Sequence, residues 1–599
     1  MNPVLVFNQK GDANSRKAII ASFKVLRTDE ERIILILKCM LKYNILPEMF
    51  GDTKDTKKSE KIREVANRTY IKSSLTQSTC VQILKMYTRS ITYAPNPSEE
   101  LALVYGNRSL ILLKLHKYEE CIQDINRSLT ITNLDNLRAK LYLRKLDCLY
   151  ALNCYDIEDT IKEVQCFLDN MSLGDNYRKA LSDKLLSREK VFVPNETKKN
   201  LCQFPQPKIK SYNVEFPCAS DALSVKYNEE YGRHIVATRN ISPEVYWALI
   251  PCDHCVYAAY CSEKCKTAAW EKYHDIECAI VPHMLKMKFT KLDIFSLRLT
   301  IQTVREATSI KDLRKELEEV DSSDPLKKGF SKNGTFPSDK YRSVLGLATN
   351  TEKRSVDDMF RKTFDSCFIL YCLAKCTNMF GIILKKDLSE LIKNSDAMFV
   401  GGLILRNAQV VPTNIHSFSE RCGLEAVERG LVTLPFLSLA NHSCCPNITR
   451  QSTSTHEIAY AVYPIKEGEQ IFDNYGYSYA TARKIDRQKE LFHQYYFVCN
   501  CTPCQEDWPL YFHLKSYQVI VKDSKCKYKI SQALKKFNRY YTHAKDGIII
   551  DKNTFEDLFK MIEVLHEFVP TPCMEIVDSV QTVIHFYDLG GNQFEVPNL

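Results

Sequence analysis

The sequence predicts an α+β multidomain protein, helical at both ends, with a small β-rich centre that carries a cysteine-rich insert. Three observations predict it. Apolar residues recur at helical spacing over 61–165 and again beyond 507, whereas β-branched runs such as HIVATRNI (234–241) and EIAYAVYPI (457–465) lie between them. Cysteines cluster at 252–278, 444–445 and 499–504, at the spacing of metal ligands.

The 599 residues exceed what one hydrophobic core holds, so three or four units are expected. At 45% apolar and 26% charged, the chain has the composition of globular proteins that bury real cores. Its 82 basic residues face 73 acidic ones, and a net charge of +9 so thinly spread does not mark a nucleic-acid binder. The start, MNPVLVFNQKGDANSRK, has no basic stretch followed by a long apolar run, and no window offers eighteen consecutive apolar residues. A soluble intracellular protein with no membrane partner is expected, in cytoplasm and nucleus. In that setting the 24 cysteines read as thiols and metal ligands, not as a disulfide framework.

Residues 1–60 read as a helical N-terminal segment, and 61–190 hold an internal repeat. A shift of 37 lays Tyr105 on Tyr142, Arg108 on Lys145, Leu112 on Leu149, Leu115 on Leu152 and Tyr118 on Tyr155. Each unit is a helix, a short turn before the tyrosine and a second helix, with a weaker unit from KIREVANRTYIK to VQILKMYTRSITYAP ahead of them. The pattern resembles tetratricopeptide repeats, whose stacked helix pairs share a core and serve as scaffold or partner groove. The arginines and lysines of this region are expected on solvated faces. A polar, proline-containing linker follows at 191–208.

The stretch PCDHCVYAAYCSEKCKTAAWEKYHDIEC (251–278) is the first metal candidate. Cys252 and Cys255 form a C-x2-C turn, and His274 and Cys278, at i and i+4 on a helix, complete a Cys3His set. Cys261 and Cys265 interleave with these and point to a second ion, for which the chain supplies no further C-x2-C pair upstream. The stretch resembles a MYND zinc finger that lacks its first C-x2-C. The resemblance implies an interaction module for corepressors or other proline-containing peptides.

Residues 279–430 read as helical and charged, with a surface loop at SSDPLKKGFSKNGTFPSDK, and 507–599 as a helical domain. In the latter, Phe555, Leu558, Phe559, Ile562 and Leu565 make one apolar face. Between them, C-x-C-x2-C gives three thiolates at Cys499, Cys501 and Cys504, one short of a tetrahedral set. Cys444, in NHSCCPN, is the expected fourth, leaving Cys445 as a small buried hydrophobe.

NHSCCPN, IKEGEQIFDNYGYSY (465–479) and RQKELFHQYYFVCNCTPC (487–504) together resemble the core and post-SET parts of a SET-domain lysine methyltransferase. With the MYND-like insert they resemble the SET and MYND domain-containing family, and the helical repeats resemble its tetratricopeptide-containing fourth group. The resemblance implies a SET domain divided into an N-terminal part (209–251), the finger (252–278), a helical insert (279–430) and the core and post-SET (431–506). It implies S-adenosyl-L-methionine and zinc as cofactors and a protein with a target lysine as substrate. Carried over by motif, Tyr475 is the catalytic residue at the methyl-transfer pore. Gly232, Arg233, Asn350, Asn414, Ser438, Asn441, His442, Tyr475 and Phe497 are implied cofactor contacts. The segment NISPEVYWALIPCDHC departs from the family pattern, so a strand of the small sheet is expected to be either missing or rebuilt from VYWALI. The favoured function is protein-lysine N-methylation. The alternative is a weakly active or inactive scaffold that recruits transcriptional corepressors through finger and repeats. A DNA-binding zinc protein is disfavoured because no basic recognition helix accompanies the finger.

Overall fold

The structure is a computed structural model that describes residues 7, 9, 12–47, 49, 53–152, 157–170, 175–187, 226–228, 232–234, 248–380, 388–422, 425–453, 456–548 and 552–591. The chain divides into two units, one of Pro47–Lys199, Val245–Phe289 and Glu595–Leu599, the other of Met1–Leu46, Asn200–Glu244 and Thr290–Phe594.

The first unit is built of helices. Thr56–Lys72, Gln77–Tyr93, Glu99–Lys114, Tyr118–Ile131, Asp135–Leu152, Ile157–Asn170 and Asp175–Ser187 follow one another along the chain. The starts are written in the sequence: Asp55, Thr76 and Ser98 each accept a backbone N–H of the first turn, satisfying donors the helix cannot. Ile83, Leu112, Ile125, Leu141 and Leu146 are buried where the helices pack. Arg108 corrects the expectation of solvated basic faces. It is fully buried, and its guanidinium reaches both carboxylate oxygens of Asp124 at 2.6 and 2.8 Å. Lys145, the position that the repeat lays on Arg108, is also buried and pairs with Glu163.

The finger belongs to this same unit. Ile250–Pro251 pairs antiparallel with Ala259–Tyr260, and helix Glu263–Ala269 passes through a wide turn, Trp270–His274, into helix Asp275–Lys286. Of the two alternatives for VYWALI, a rebuilt strand of the small sheet does not include Ile250, which pairs with Tyr260 within the finger; 245–247 lie outside the described residues.

The second unit sets helices around short ladders. Helix Asp29–Lys42 opens with a capping box in which Thr28 and Glu31 exchange bonds, and buries Ile33, Ile36, Leu37 and Met40. It packs against Val356–Cys376 and Ser395–Asn414. Gly401 and Gly402 permit the approach: a Cβ on Gly401 would stand 2.8 Å from Leu370 Cδ2 and 2.9 Å from Ile33 Cγ2. Beyond Asn414 the chain turns into a hairpin, Ile415–Cys422 with Glu425–Thr433, inside the stretch read as helical. Polar and charged residues fall on both faces of its two strands, IHSFSERC and EAVERGLVT, so sequence periodicity marks no apolar face.

Four more two-residue to six-residue ladders lie among the described residues, one of them the finger's own pair. Asn441–His442 runs parallel to Phe472–Asp473, which sets NHSCCPN against FDNYG. Ile448–Thr453 pairs with His456–Ala461, and Tyr460 stacks on Tyr587 of helix Met574–Leu589 at 3.9 Å. The C-terminal helices close around that contact through Leu558, Met561, Ile562, Val583 and Phe586. Burial of each such side chain contributes about 1.5–3 kcal/mol.

Candidate active site and metal centres

Cys252, Cys255, His274 and Cys278 converge, all ligand atoms lying within 4.8 Å of one another. The antiparallel pair brings the C-x2-C turn back through Cys252 N–H to Ala258 O, at 2.9 Å, and the wide turn delivers His274. Cys252 and Cys278 sulfurs are 3.8 Å apart, and Cys255 Sγ is 3.6 Å from His274 Nε2. Zinc bound at about 2.3 Å to sulfur and 2.0 Å to nitrogen sets tetrahedral edges of about 3.5–3.8 Å, so the set fits the ion. Cys261 and Cys265 are not gathered: the first is half-buried, the second exposed, and neither joins a group of three ligand-type residues among the described residues.

Cys444, Cys499, Cys501 and Cys504 form the other cluster. Cys444 Sγ lies 4.0 Å from Cys499 Sγ and 3.6 Å from Cys504 Sγ, and Cys501 Sγ accepts the Cys444 N–H at 3.4 Å. Arg487, fully buried, donates through Nε to Cys444 Sγ at 3.1 Å and through Nη2 to Cys504 Sγ at 3.5 Å. Four thiolates on a divalent ion carry a net charge of −2, and the guanidinium offsets part of it. Cys445 stands apart, half-buried, with Sγ 3.9 Å from Tyr463 Oη, and burial pushes its thiol up to about 11.

His442 connects this cluster to Tyr475. Its Nδ1 accepts the Tyr475 N–H at 3.0 Å and its Nε2 lies 3.3 Å from Cys444 Sγ. Burial brings the imidazole down to about 4, so it is neutral, with its proton on Nε2. Tyr475 Oη donates to Ala440 O at 2.8 Å, and burial pushes the phenol well above its usual value. Its ring packs 4.7 Å from Tyr495 and meets Phe497 edge-on at 6.4 Å.

A cavity of about 1300 Å³ is lined by Asn350, Asn414, Ser438, Asn441, His442, Tyr475 and Phe497, seven of the nine residues implied as cofactor contacts. A second cavity, of about 630 Å³, shares Asn414, Ser438, Tyr475 and Tyr495 with the first. Asn350 holds a left-handed conformation at φ 55° at the start of the short helix Thr351–Lys353. Asn414 spends its amide N–H groups on the carbonyls of Ala348 and Val410, so it braces the wall. Gly232 and Arg233 lie in strand Gly232–His234, whose backbone runs beside Leu437–Leu439 of the wall; their side chains and 235–241 lie outside the described residues.

Sequence reasoning missed a polar chain behind the shared wall. Asp473 pairs with Arg450, Arg450 Nη1 donates to His416 Nδ1 at 3.0 Å, and His416 Nε2 lies 3.1 Å from Ser438 Oγ. It also missed Arg487, and Asp29, whose carboxylate accepts from Gln409 at 2.9 Å beside the turn at Asn350. The only sequence signal was a charge at an otherwise apolar helix position, Arg487 four before the buried Leu491.

A family model described as SET domain matches residues 53–476. Protein-lysine N-methyltransferase SMYD4 of Pongo abelii is 26% identical over 531 residues, covering 70% of this chain and 64% of that protein. The human protein of the same name is 26% identical over 533 residues, with the same two shares, 70% and 64%. Mouse histone-lysine N-methyltransferase SMYD3 is 25% identical over 298 residues, 50% of this chain and 57% of that protein. The chain thus spans 64% of the length of the first two relatives. With the matched model running over more than half of its residues, the chain belongs to the SET-domain family, in its SET and MYND domain-containing branch.

Proposed function

We propose that the chain is a protein-lysine N-methyltransferase that uses S-adenosyl-L-methionine, with zinc in both cysteine clusters and tetratricopeptide-like repeats ahead of the catalytic part. One observation carries the reading: Tyr475, Tyr495, Asn414 and Ser438 line both cavities, so two reactants can meet at a shared wall from opposite sides. Methyl transfer to an amine is an in-line displacement, which depends chiefly on such opposed positioning.

Asn350, Asn441, His442 and Phe497 would hold S-adenosyl-L-methionine, which would supply a methyl group on a sulfonium. Phe497 offers an aromatic face for an adenine ring. The larger cavity has ample room for a molecule of that size, and its wall is fixed by the Cys444 cluster through His442. The target lysine enters from the smaller cavity. Its amine must arrive neutral, and the half-buried aromatic surround of Tyr475 and Tyr495 disfavours the ammonium form. Tyr475 stays protonated, and with its proton committed to Ala440 O its oxygen lone pairs are left to orient the amine.

The test is transfer of labelled methyl from S-adenosyl-L-methionine to lysate proteins by the zinc-replete chain, followed by hydrolysis to identify methyl-lysine. Transfer that falls about 100-fold or more in Tyr475→Phe supports the reading. Label in no lysine, with cofactor bound, favours the scaffold alternative.

A further inference from the structure

Among the described residues the finger has one complete ligand set, Cys252, Cys255, His274 and Cys278, and Cys261 and Cys265 join no group of three ligand-type residues. Residues 209–251 contain one cysteine, Cys218, and one histidine, His234, so no second C-x2-C precedes Cys252. A segment of this size seldom holds its fold on one cross-link and so small a core.

The helical repeats supply a second anchor at the same place. Arg108 Nη2, while bound to Asp124, also donates to Leu249 O at 2.9 Å, and Nη1 reaches Thr88 Oγ1 at 3.1 Å. Arg127 Nη1 donates to Asp124 Oδ1 at 2.8 Å and to Ala248 O at 2.9 Å. Just beyond the ligand Cys252, Asp253 accepts from Asn96 Nδ2 at 2.7 Å and pairs with Lys266 at 2.7 Å. The C-x2-C turn is therefore gripped on both sides, by its two leading carbonyls and by the carboxylate after Cys252. Arg108 and Asp124 are both 0% exposed, and a guanidinium so buried is tolerated only when its remaining N–H groups meet acceptors, which here are Thr88 Oγ1 and the finger's Leu249 O.

We propose that the face of the repeats formed by Arg108, Asp124, Arg127 and Asn96 is an intramolecular docking surface for residues 248–253, and that it stands in for the finger's second metal ion. These are positioning residues: they hold the C-x2-C turn where His274 and Cys278 meet it. The proposal rests on the reading that Cys252, Cys255, His274 and Cys278 hold zinc, and is independent of the methyltransferase reading.

The test uses the full chain reconstituted with zinc, with metal per chain from elemental analysis and release into a chelating dye followed in time. Two ions per chain are expected, with Cys261→Ser/Cys265→Ser changing neither count nor rates. Arg127→Met/Asn96→Ala, which leaves the buried Arg108–Asp124 pair intact, should speed release of one ion about 10-fold and leave the other, from the Cys444 cluster, unchanged. Unaltered release in that variant overturns the proposal, as does a third ion lost from Cys261→Ser/Cys265→Ser. A single ion that survives Cys278→Ser instead removes the metal reading, and the proposal with it.

Discussion

The His442 imidazole holds the backbone of Tyr475 on one nitrogen, at 3.0 Å, and faces the sulfur of Cys444 with the other, at 3.3 Å. One neutral ring thus joins the four-cysteine cluster to the wall between the cavities. His442→Ala removes both contacts, and groups that support metal ligands in this way are worth about 10–100-fold in metal affinity. Zinc competition at the Cys444 cluster should show a loss of that size, with weaker S-adenosyl-L-methionine binding alongside it. Unchanged metal affinity would mean the ring plays no part in holding the cluster.

Arg487 has no route to water and donates to two of the four sulfurs. Arg487→Met leaves their charge without its buried partner, a change that costs about 3–5 kcal/mol. Arg487→Lys keeps the charge and loses the fork, so it should recover only part of this. Denaturant unfolding monitored by tryptophan fluorescence reports the order: native most stable, then Lys, then Met.

Gly401 is small because helix Asp29–Lys42 crosses it. Gly401→Ala forces Ile33 and Leu370 to give way by several tenths of an ångström, at about 1–3 kcal/mol. A lowered melting temperature checks this, and an unchanged one would show that the N-terminal helix does not pack there.

Stability should fall in mild acid through His416. Burial, aided by the neighbouring Arg450 charge, brings its imidazole from the usual 6.5 down to about 3. The unfolded chain therefore binds the proton more tightly. The contribution of the neutral ring is fully present above pH 6.5 and is lost as pH falls towards 3, by at most about 1.4 kcal/mol per pH unit. Melting curves at pH 7.5 and 5.5 should separate more for the native chain than for His416→Gln.

The ligand sets were legible because metal coordination demands close spacing, and C-x2-C and C-x-C-x2-C bring their own geometry. Three residues of the larger cavity, Asn441, His442 and Tyr475, were legible for a related reason: NHSCCPN and FDNYG are short motifs joined by a ladder of two residues. What the sequence did not disclose lies in long-range contact. The capping box of Asp29–Lys42 announces a helix, but nothing local says that Asp29 meets Gln409, 380 positions on. Arg108 was misread for the same reason, since the repeat fixes its place on a helix and not that Asp124 and Leu249 O enclose it. The hairpin 415–433 escaped because IHSFSERC and EAVERGLVT mix charge into both faces.

The central claim is that the Cys444 cluster roofs the pocket that receives the methyl donor. Calorimetric titration of the zinc-replete chain with S-adenosyl-L-methionine tests it most directly. One molecule should bind per chain, at least 10-fold more weakly in Asn441→Ala, and not detectably in Cys501→Ser, which opens the four-sulfur set. Binding that is absent from the native chain, or indifferent to both substitutions, would contradict it.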